Sequence, residues 1–374
     1  MKLPHDHIDP DGLQEFSVVF TDRSLNHMSA RFQGVMRDVS AMLREVYNGS
    51  AVALVPGGGT YAMEATARQF GRGQVLILRN GWFSYRWSQI FDAGAFAAGT
   101  TVVMARQTGN GARAPYAPPP IDEVCAKIRE VRPEAVFAPH VETSSGIILP
   151  DDYIAALAGA AHEVGALLVL DCIASGCVWV DMVATGVDVL ISAPQKGWSA
   201  SPAVGLVVLS PMAEARLAET TSSSFALDLK KWRAIMEAYE KGGHAYHATL
   251  PTDAIRGFRD AMVETRALGF AVAKAAQWQL GHAVRAMLAG RGVMSVAAEG
   301  FQAPGVVVSY TDDAEMQNGA KFRAQGLQIA AGVPLQVGEG AEFRTFRLGL
   351  FGLDKLADVP ATVARLEKAL DAVL

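Results

Sequence analysis

Four short segments of the 374-residue chain carry the residue types of covalent and acid–base chemistry. In VPGGGTYAMEA, Gly57, Gly58 and Gly59 allow a tight turn, and Thr60 opens a helix whose free N–H groups can receive a phosphate. The segment lacks the GK[ST] ending of a nucleotide loop, which argues against ATP or GTP. APHVETSSGIILP gathers Glu142, Thr143, Ser144 and Ser145, a polar loop able to cap the helix that follows. ALLVLDCIASG closes an apolar run on Asp171, which alone is as well explained as a turn former. SAPQKGWSASP holds Lys196, the single charge in that stretch, where no neighbouring acid is at hand to pair with it. Taken singly, these are a glycine turn, a cap, a turn acid and a solvated lysine.

The elements that must position them are legible from periodicity. VALVP (52–56), QVLILR (74–79), TTVVMA (100–105), AVFAPH (135–140), ALLVLD (166–171), VDVLIS (187–192) and GLVVLS (205–210) read as strands. None alternates apolar with polar, as expected of a parallel sheet covered on both faces. AMEATARQFG, IDEVCAKIREV and DDYIAALAGAAHEVG between them have helical spacing, so the pattern is α/β and doubly wound. From about residue 252 a long helical stretch runs to AML, followed by short strands near GVVVSYT and FRTFRLGLF and a terminal helix, VPATVARLEKALDAVL. GARAPYAPPP (111–120) reads as a surface loop. The expected division is an N-terminal arm (1–16), a large domain (17–260) and a smaller C-terminal α+β domain (261–374).

Composition narrows the function. Half the residues are hydrophobic, enough for a sizeable core, and the net charge of −5 with a pI near 5.9 offers no basic face to nucleic acid or anionic lipid. No apolar run reaches the roughly 18 residues that span a bilayer, and MKLPHDHIDPDG is too polar and acidic for a signal peptide, so a cytoplasmic protein acting on small molecules is expected. Cys125, Cys172 and Cys177 form no metal-like cluster, which suits reduced thiols.

The order of the four segments says more than any one of them. A glycine turn, a hydroxyl-rich loop, and an Asp 25 residues before a Lys is the order expected of a pyridoxal phosphate (PLP) enzyme of fold type I. The lysine forms a Schiff base with the aldehyde, the acid keeps the pyridine nitrogen protonated so that the ring withdraws electrons, and the helix N-terminus takes the phosphate. The chain resembles the class V aminotransferases of the alanine–glyoxylate and serine–pyruvate group through GGGTYAMEA, NGWFSYRW, HVETSSG, VLDCIASG, SAPQKGW, YHATLP and FRLGLFG, in that family's order from about residue 32 onward. That resemblance implies Lys196 as the Schiff-base lysine, Asp171 as the pyridinium partner, and Gly58, Gly59 and Thr60 as the phosphate cradle. It implies Phe83 over the cofactor ring, Thr143 at the ring-hydroxyl side and Gln195 beside the lysine. Tyr246 and Thr249 correspond to residues donated across a homodimer to the phosphate, and Arg347 to the arginine that grips the substrate carboxylate. The implied reaction moves an amino group from a small amino acid of the alanine, serine or glycine type to a 2-oxo acid such as glyoxylate or pyruvate.

Departures from the family fall mainly around the substrate. FSVVFTDRSLNHMSARF replaces the usual PGP-containing start, Gly58 stands where a hydroxyl is common, and Trp198 where a smaller aliphatic is usual. An aminophosphonate–pyruvate transaminase stays open as an alternative. A desulfurase-type lyase needs a cysteine on a late mobile loop, yet no Cys follows Cys177, and Gln195 replaces the His those enzymes carry. A non-catalytic binding module is argued against by the intact Lys196 and Asp171.

Overall fold

All seven apolar runs join one sheet. The computed structural model describes residues 5–17 and 22–374. Its large sheet contains β1 (Ala51–Pro56), β2 (Gln74–Arg79), β3 (Gly99–Met104), β4 (Ala135–Pro139), β5 (Leu167–Asp171), β6 (Val189–Ser192) and β7 (Val204–Leu209), in the order β1-β7-β6-β5-β4-β2-β3. Strands β6, β5, β4, β2 and β3 pair in parallel, whereas β7 runs antiparallel to both β1 and β6. The carboxyl ends of β1, β2, β4, β5 and β6 therefore share one edge, and the four chemistry-bearing segments leave the sheet there. Every residue of β4, β5, β6 and β7 is buried, which accounts for their uninterrupted apolar runs.

Helices α1 (Ala30–Tyr47), α2 (Gly59–Phe70), α3 (Trp82–Gly94), α4 (Ile121–Val131) and α5 (Asp151–Glu163) cover the sheet. The N-terminus of α2 sits so close to β7 that a Cβ on Gly205 would lie 2.4 Å from Ala62 Cβ and 2.6 Å from the Gly58 carbonyl oxygen. The long C-terminal stretch is two helices, α6 (Thr252–Leu268) and α7 (Phe270–Gly290). They divide at Gly269, whose φ of +97° is outside the helical range and suits glycine. The expected boundary at 260/261 falls within α6.

A second sheet follows, formed by β8 (Val306–Tyr310), β9 (Ala330–Ala331) and β10 (Thr345–Gly349) in the antiparallel order β8-β10-β9. The segment leading into it is joined to the hairpin after β4 by backbone bonds from Ala303 N to Gly146 O (2.8 Å) and from Ile148 N to Phe301 O (2.9 Å). The proline-rich 111–120 segment is only partly a surface loop. Tyr116 is buried, and Tyr116–Ala117 pairs with Arg106–Gln107 and bridges to Ala297.

The turn carrying Lys196 is anchored from below. A Cβ on Gly197 would lie 2.0 Å from the Gly176 carbonyl oxygen, so only glycine fits this crossing. Trp198 is fully buried, its ring centroid 4.6 Å from that of Trp179 and 6.0 Å from those of both Phe258 and Phe270. The large side chain at this position therefore serves as an anchor for the turn rather than as a wall of the pocket.

Candidate active site

A cavity of about 450 Å³ opens at the carboxyl edge of the large sheet, against the second sheet. Gly59, Thr60, Phe83, Thr143, Asp171, Gln195, Lys196 and Arg347 all line it, although they come from segments as far apart as residues 59 and 347. Gly58 is the N-cap of α2, immediately beside this lining. Tyr246 and Thr249 are not brought there. They line a separate pocket of about 100 Å³ with His27, their hydroxyls 3.5 Å apart, and Tyr246 is 58 % exposed.

The charges respond to this setting. Asp171 ends β5, and its carboxyl is pushed up to about 7 by burial, opposed by the Ile173 N–H that donates to Oδ1 at 2.9 Å. The negative charge of Glu142 adds to the rise, and Arg86 works against it. Burial, then the nearby Arg347 guanidinium, lowers the proton affinity of Lys196 and favours its free amine. Burial likewise lowers that of Arg347, against the pull of Glu142. Arg347 Nε donates to Ala331 O at 2.8 Å. Arg344 instead holds the Asp312 carbonyl on an exposed surface, as the alternation along FRTFRLG requires.

Two residues of the site were missed by the sequence reading. Arg86 lines the cavity, donates from Nη1 to Thr60 Oγ1 at 3.0 Å, and places its guanidinium carbon 5.3 Å from the Phe83 ring centroid. The available signal was helical phase, since Arg86 is three residues after Phe83 on α3. Glu142 was read only as part of a cap for the helix that follows. It is fully buried and caps α3 instead, far upstream: its carboxylate accepts from Phe83 N (3.1 Å), Ser84 N (2.9 Å) and Ser84 Oγ (2.6 Å). It also accepts from Ser144 N (3.1 Å) and Ser144 Oγ (2.8 Å). Glu142 thus joins the helix bearing Phe83 and Arg86 to the loop bearing Thr143.

The pattern shared by the family described as "Aminotransferase class-V" matches residues 14–333. The chain belongs to the class V aminotransferases. It is a PLP-dependent transaminase of fold type I. The 2-aminoethylphosphonate–pyruvate transaminase of Burkholderia ambifaria is 27 % identical over 364 residues, covering 94 % of this chain and 89 % of that protein. A protein named soluble hydrogenase, small subunit, from a Synechococcus species is also 27 % identical, over 92 % of this chain and 87 % of its own length. In fold, the aminotransferase resembles the alanine–glyoxylate aminotransferase of a Nostoc species, with a TM-score of 0.78, 23 % identity, and coverage of 93 % and 88 % of the two chains.

The residues present fit the cofactor of the aminotransferases. The buried Asp171 carboxyl suits a protonated ring nitrogen, and the start of α2 with Thr60 and Arg86 suits a phosphate. Gln195 Oε1 is buried without a hydrogen-bond partner, so a polar group is called for at that point of the cavity wall. No thiol competes as nucleophile. Burial pushes Cys177 up to about 12 and Cys172 well above the usual thiol value, and Cys125 is buried as well. Among the described residues, no helix is long and apolar enough to cross a membrane.

Proposed function

We propose that this aminotransferase moves the amino group of a small amino acid of the alanine, serine or glycine type to a 2-oxo acid such as glyoxylate or pyruvate. The observation that carries the reading is one cavity presenting an amine, a buried acid and a buried guanidinium: Lys196, Asp171 and Arg347. When bound, PLP supplies an aldehyde that takes up the amino group and a ring that withdraws electrons. Lys196 would hold the cofactor through its Nζ, and once displaced by the donor's amine the free Nζ would take the proton from the donor's amino-bearing carbon and deliver it to the cofactor side, completing the transfer of the amino group. Asp171 would keep a proton on the ring nitrogen. Gly58, Gly59, Thr60 and Arg86 would hold the phosphate end, Gln195 would contact the cofactor beside the lysine, and Phe83 and Thr143 would orient the ring. Conversion of donor to 2-oxo acid with release of the aminated cofactor form, followed by absorbance across a panel of donors and acceptors, tests the assignment.

Arg347 binds the donor carboxylate through two parallel N–H donors, a geometry lysine does not reproduce. Arg347→Ala is expected to raise the donor KM by about 30-fold or more, the cost of truncating one partner of a buried charge pair. Arg344→Ala should leave it unchanged. The opposite outcome in steady-state kinetics would transfer the role to Arg344.

A second reading is favoured by one observation. The guanidinium carbons of Arg86 and Arg347 stand 5.3 and 5.5 Å from the same Phe83 ring centroid, so two cations face the cavity. In this reading Arg86 leaves the cofactor phosphate to Gly58, Gly59 and Thr60 and joins Arg347 at a phosphonate-bearing donor, the substrate in the name of the Burkholderia ambifaria relative. Including 2-aminoethylphosphonate in the panel separates the two readings.

The active unit is proposed to be a homodimer with shared sites, in which Tyr246 and Thr249 reach the partner subunit's phosphate. The support is that these two hydroxyl groups lie away from their own cavity, with Tyr246 exposed. Tyr246→Phe should weaken cofactor retention on dialysis by about tenfold, the worth of a hydrogen bond to a charged group, and leave the covalent link to Lys196 intact. A fully active, cofactor-saturated monomer in sedimentation would end the dimer reading. A cytoplasmic location belongs to the same proposal, consistent with the three free thiols.

A further inference from the structure

Phe351 lies in the cavity wall beside the reacting amine, with Lys196 Nζ 5.6 Å from its ring centroid. One glycine makes room for this ring: a Cβ on Gly305 would stand 3.1 Å from it, inside ordinary contact distance, so that backbone lies behind the ring because it carries no side chain. The backbone that carries the ring is tied to the lysine's turn. Leu353 N donates to Ser199 Oγ at 2.8 Å, and Ser199 N donates to Lys196 O at 3.2 Å, tying the segment after Phe351 to the lysine's own turn. On the other side of Phe351, Leu350 N donates to Gly305 O at 2.9 Å, and Leu350 O accepts from Gln277 Nε2 at 3.2 Å.

Arg347 is four residues before Phe351 and lines the same cavity. A donor with its carboxylate on Arg347 and its amine at Lys196 has its amino-bearing carbon in the interval between them, and Phe351 walls that interval on the lysine side. We infer that Phe351 is a specificity-determining residue that limits the substituent on the donor's amino-bearing carbon, holding the enzyme to donors with a small side chain or none. The inference rests on the donor reading given above. An aromatic wall rejects added methylene groups because the ring cannot retreat toward the Gly305 backbone behind it without a clash.

The test uses the holoenzyme and its Phe351→Leu and Phe351→Ala variants with glycine, alanine, norvaline and phenylalanine. The ratio of kcat/KM for norvaline over alanine should rise by at least about tenfold in Phe351→Ala, with Phe351→Leu between it and the parent. A binding readout accompanies the rates. 2-Aminoisobutyrate carries two methyl groups and no hydrogen on its amino-bearing carbon, so it should perturb the cofactor spectrum of Phe351→Ala at concentrations that leave the parent unchanged. If Phe351→Ala does not retain cofactor, Phe351→Leu is judged by the same ratio. A ratio that stays constant, or donors that all weaken in parallel, would make Phe351 a packing residue and overturn the inference. A parent enzyme that accepts alanine with such an unmoved ratio leaves the donor reading standing; a parent that accepts no small amino acid overturns both.

Discussion

Lys196→Ala is expected to lose transamination by at least about 10⁴-fold, the upper range for removal of a positioned acid–base group, while still binding PLP without a covalent link. Two roles converge on one atom. In the proposed reaction Nζ is the attachment point and, after displacement, the base at the donor's amino-bearing carbon. Its surroundings prepare it for the second role, since burial first and the Arg347 charge second favour the unprotonated amine. Its position is set by rigid neighbours, because Gly197 crosses Gly176 with no space for a Cβ and Trp198 is sunk among aromatic rings. Borohydride reduction of the parent enzyme followed by peptide mapping should place the label on Lys196, and the variant should take up none. Lys230 and Lys231, on the helix Leu229–Glu240, are the controls; Lys230 Nζ is engaged with the Ala218 carbonyl. A label on either would show that the reacting amine had been misassigned. Partial recovery of the variant's rate by a small exogenous amine would separate the base role from loss of structure.

What could be read from the sequence depended on how local its cause was. Asp171 and Lys196 were legible because each follows an apolar run whose burial fixes it as a strand of the sheet, and chemistry gathers at the carboxyl ends of such strands. Arg347 was chosen over Arg344 by resemblance in RLGLFG, and the two-residue alternation of a strand added only that the two arginines face opposite sides. Glu142 was not legible in its true role. Its partners Phe83 and Ser84 lie on a helix far upstream, and nothing near residue 142 announces a cap for that helix. Arg86 escaped for a smaller reason: with no Lys or Arg in PGGGTYAME, further donors were sought in Tyr246 and Thr249, while Arg86 reaches Thr60 from α3. The break at Gly269 was hidden because a glycine within a periodic helical pattern is tolerated as often as it ends a helix. Trp198 looked like a change in the substrate pocket and proved to be a core residue, because adjacency to Lys196 in sequence does not mean that the two side chains share a face.

Asp171→Asn should retain PLP, lose transamination by about 10²–10³-fold, and make the cofactor-free protein more stable at alkaline pH. The loss of rate follows from the ring nitrogen, since an amide offers no negative charge to hold a proton there and the ring becomes a weaker electron sink. The stability effect has a sign that can be worked out. In the cofactor-free site burial pushes the Asp171 carboxyl up to about 7, whereas the same group in the unfolded chain titrates near its ordinary value of 3.8. Between those two values the folded protein binds one more proton than the unfolded chain, so its stability falls as pH rises, by at most about 1.4 kcal/mol per unit. Above 7 the cost of holding a buried carboxylate is complete; below about 4 both states are protonated and the cost is absent. Asparagine does not titrate. The melting temperature of Asp171→Asn relative to the parent should therefore increase from pH 4 to pH 8 when both are free of cofactor, and the difference should shrink when the parent holds PLP, because a cation beside the carboxylate supplies the missing counter-charge. The parent's affinity for PLP should correspondingly strengthen over this range relative to that of the variant. A variant that turns over within about threefold of the parent would remove Asp171 from the ring nitrogen. A melting difference that does not change with pH would show instead that the carboxyl is already ionised in the cofactor-free site, held by Arg86 and the Ile173 N–H more firmly than burial opposes it.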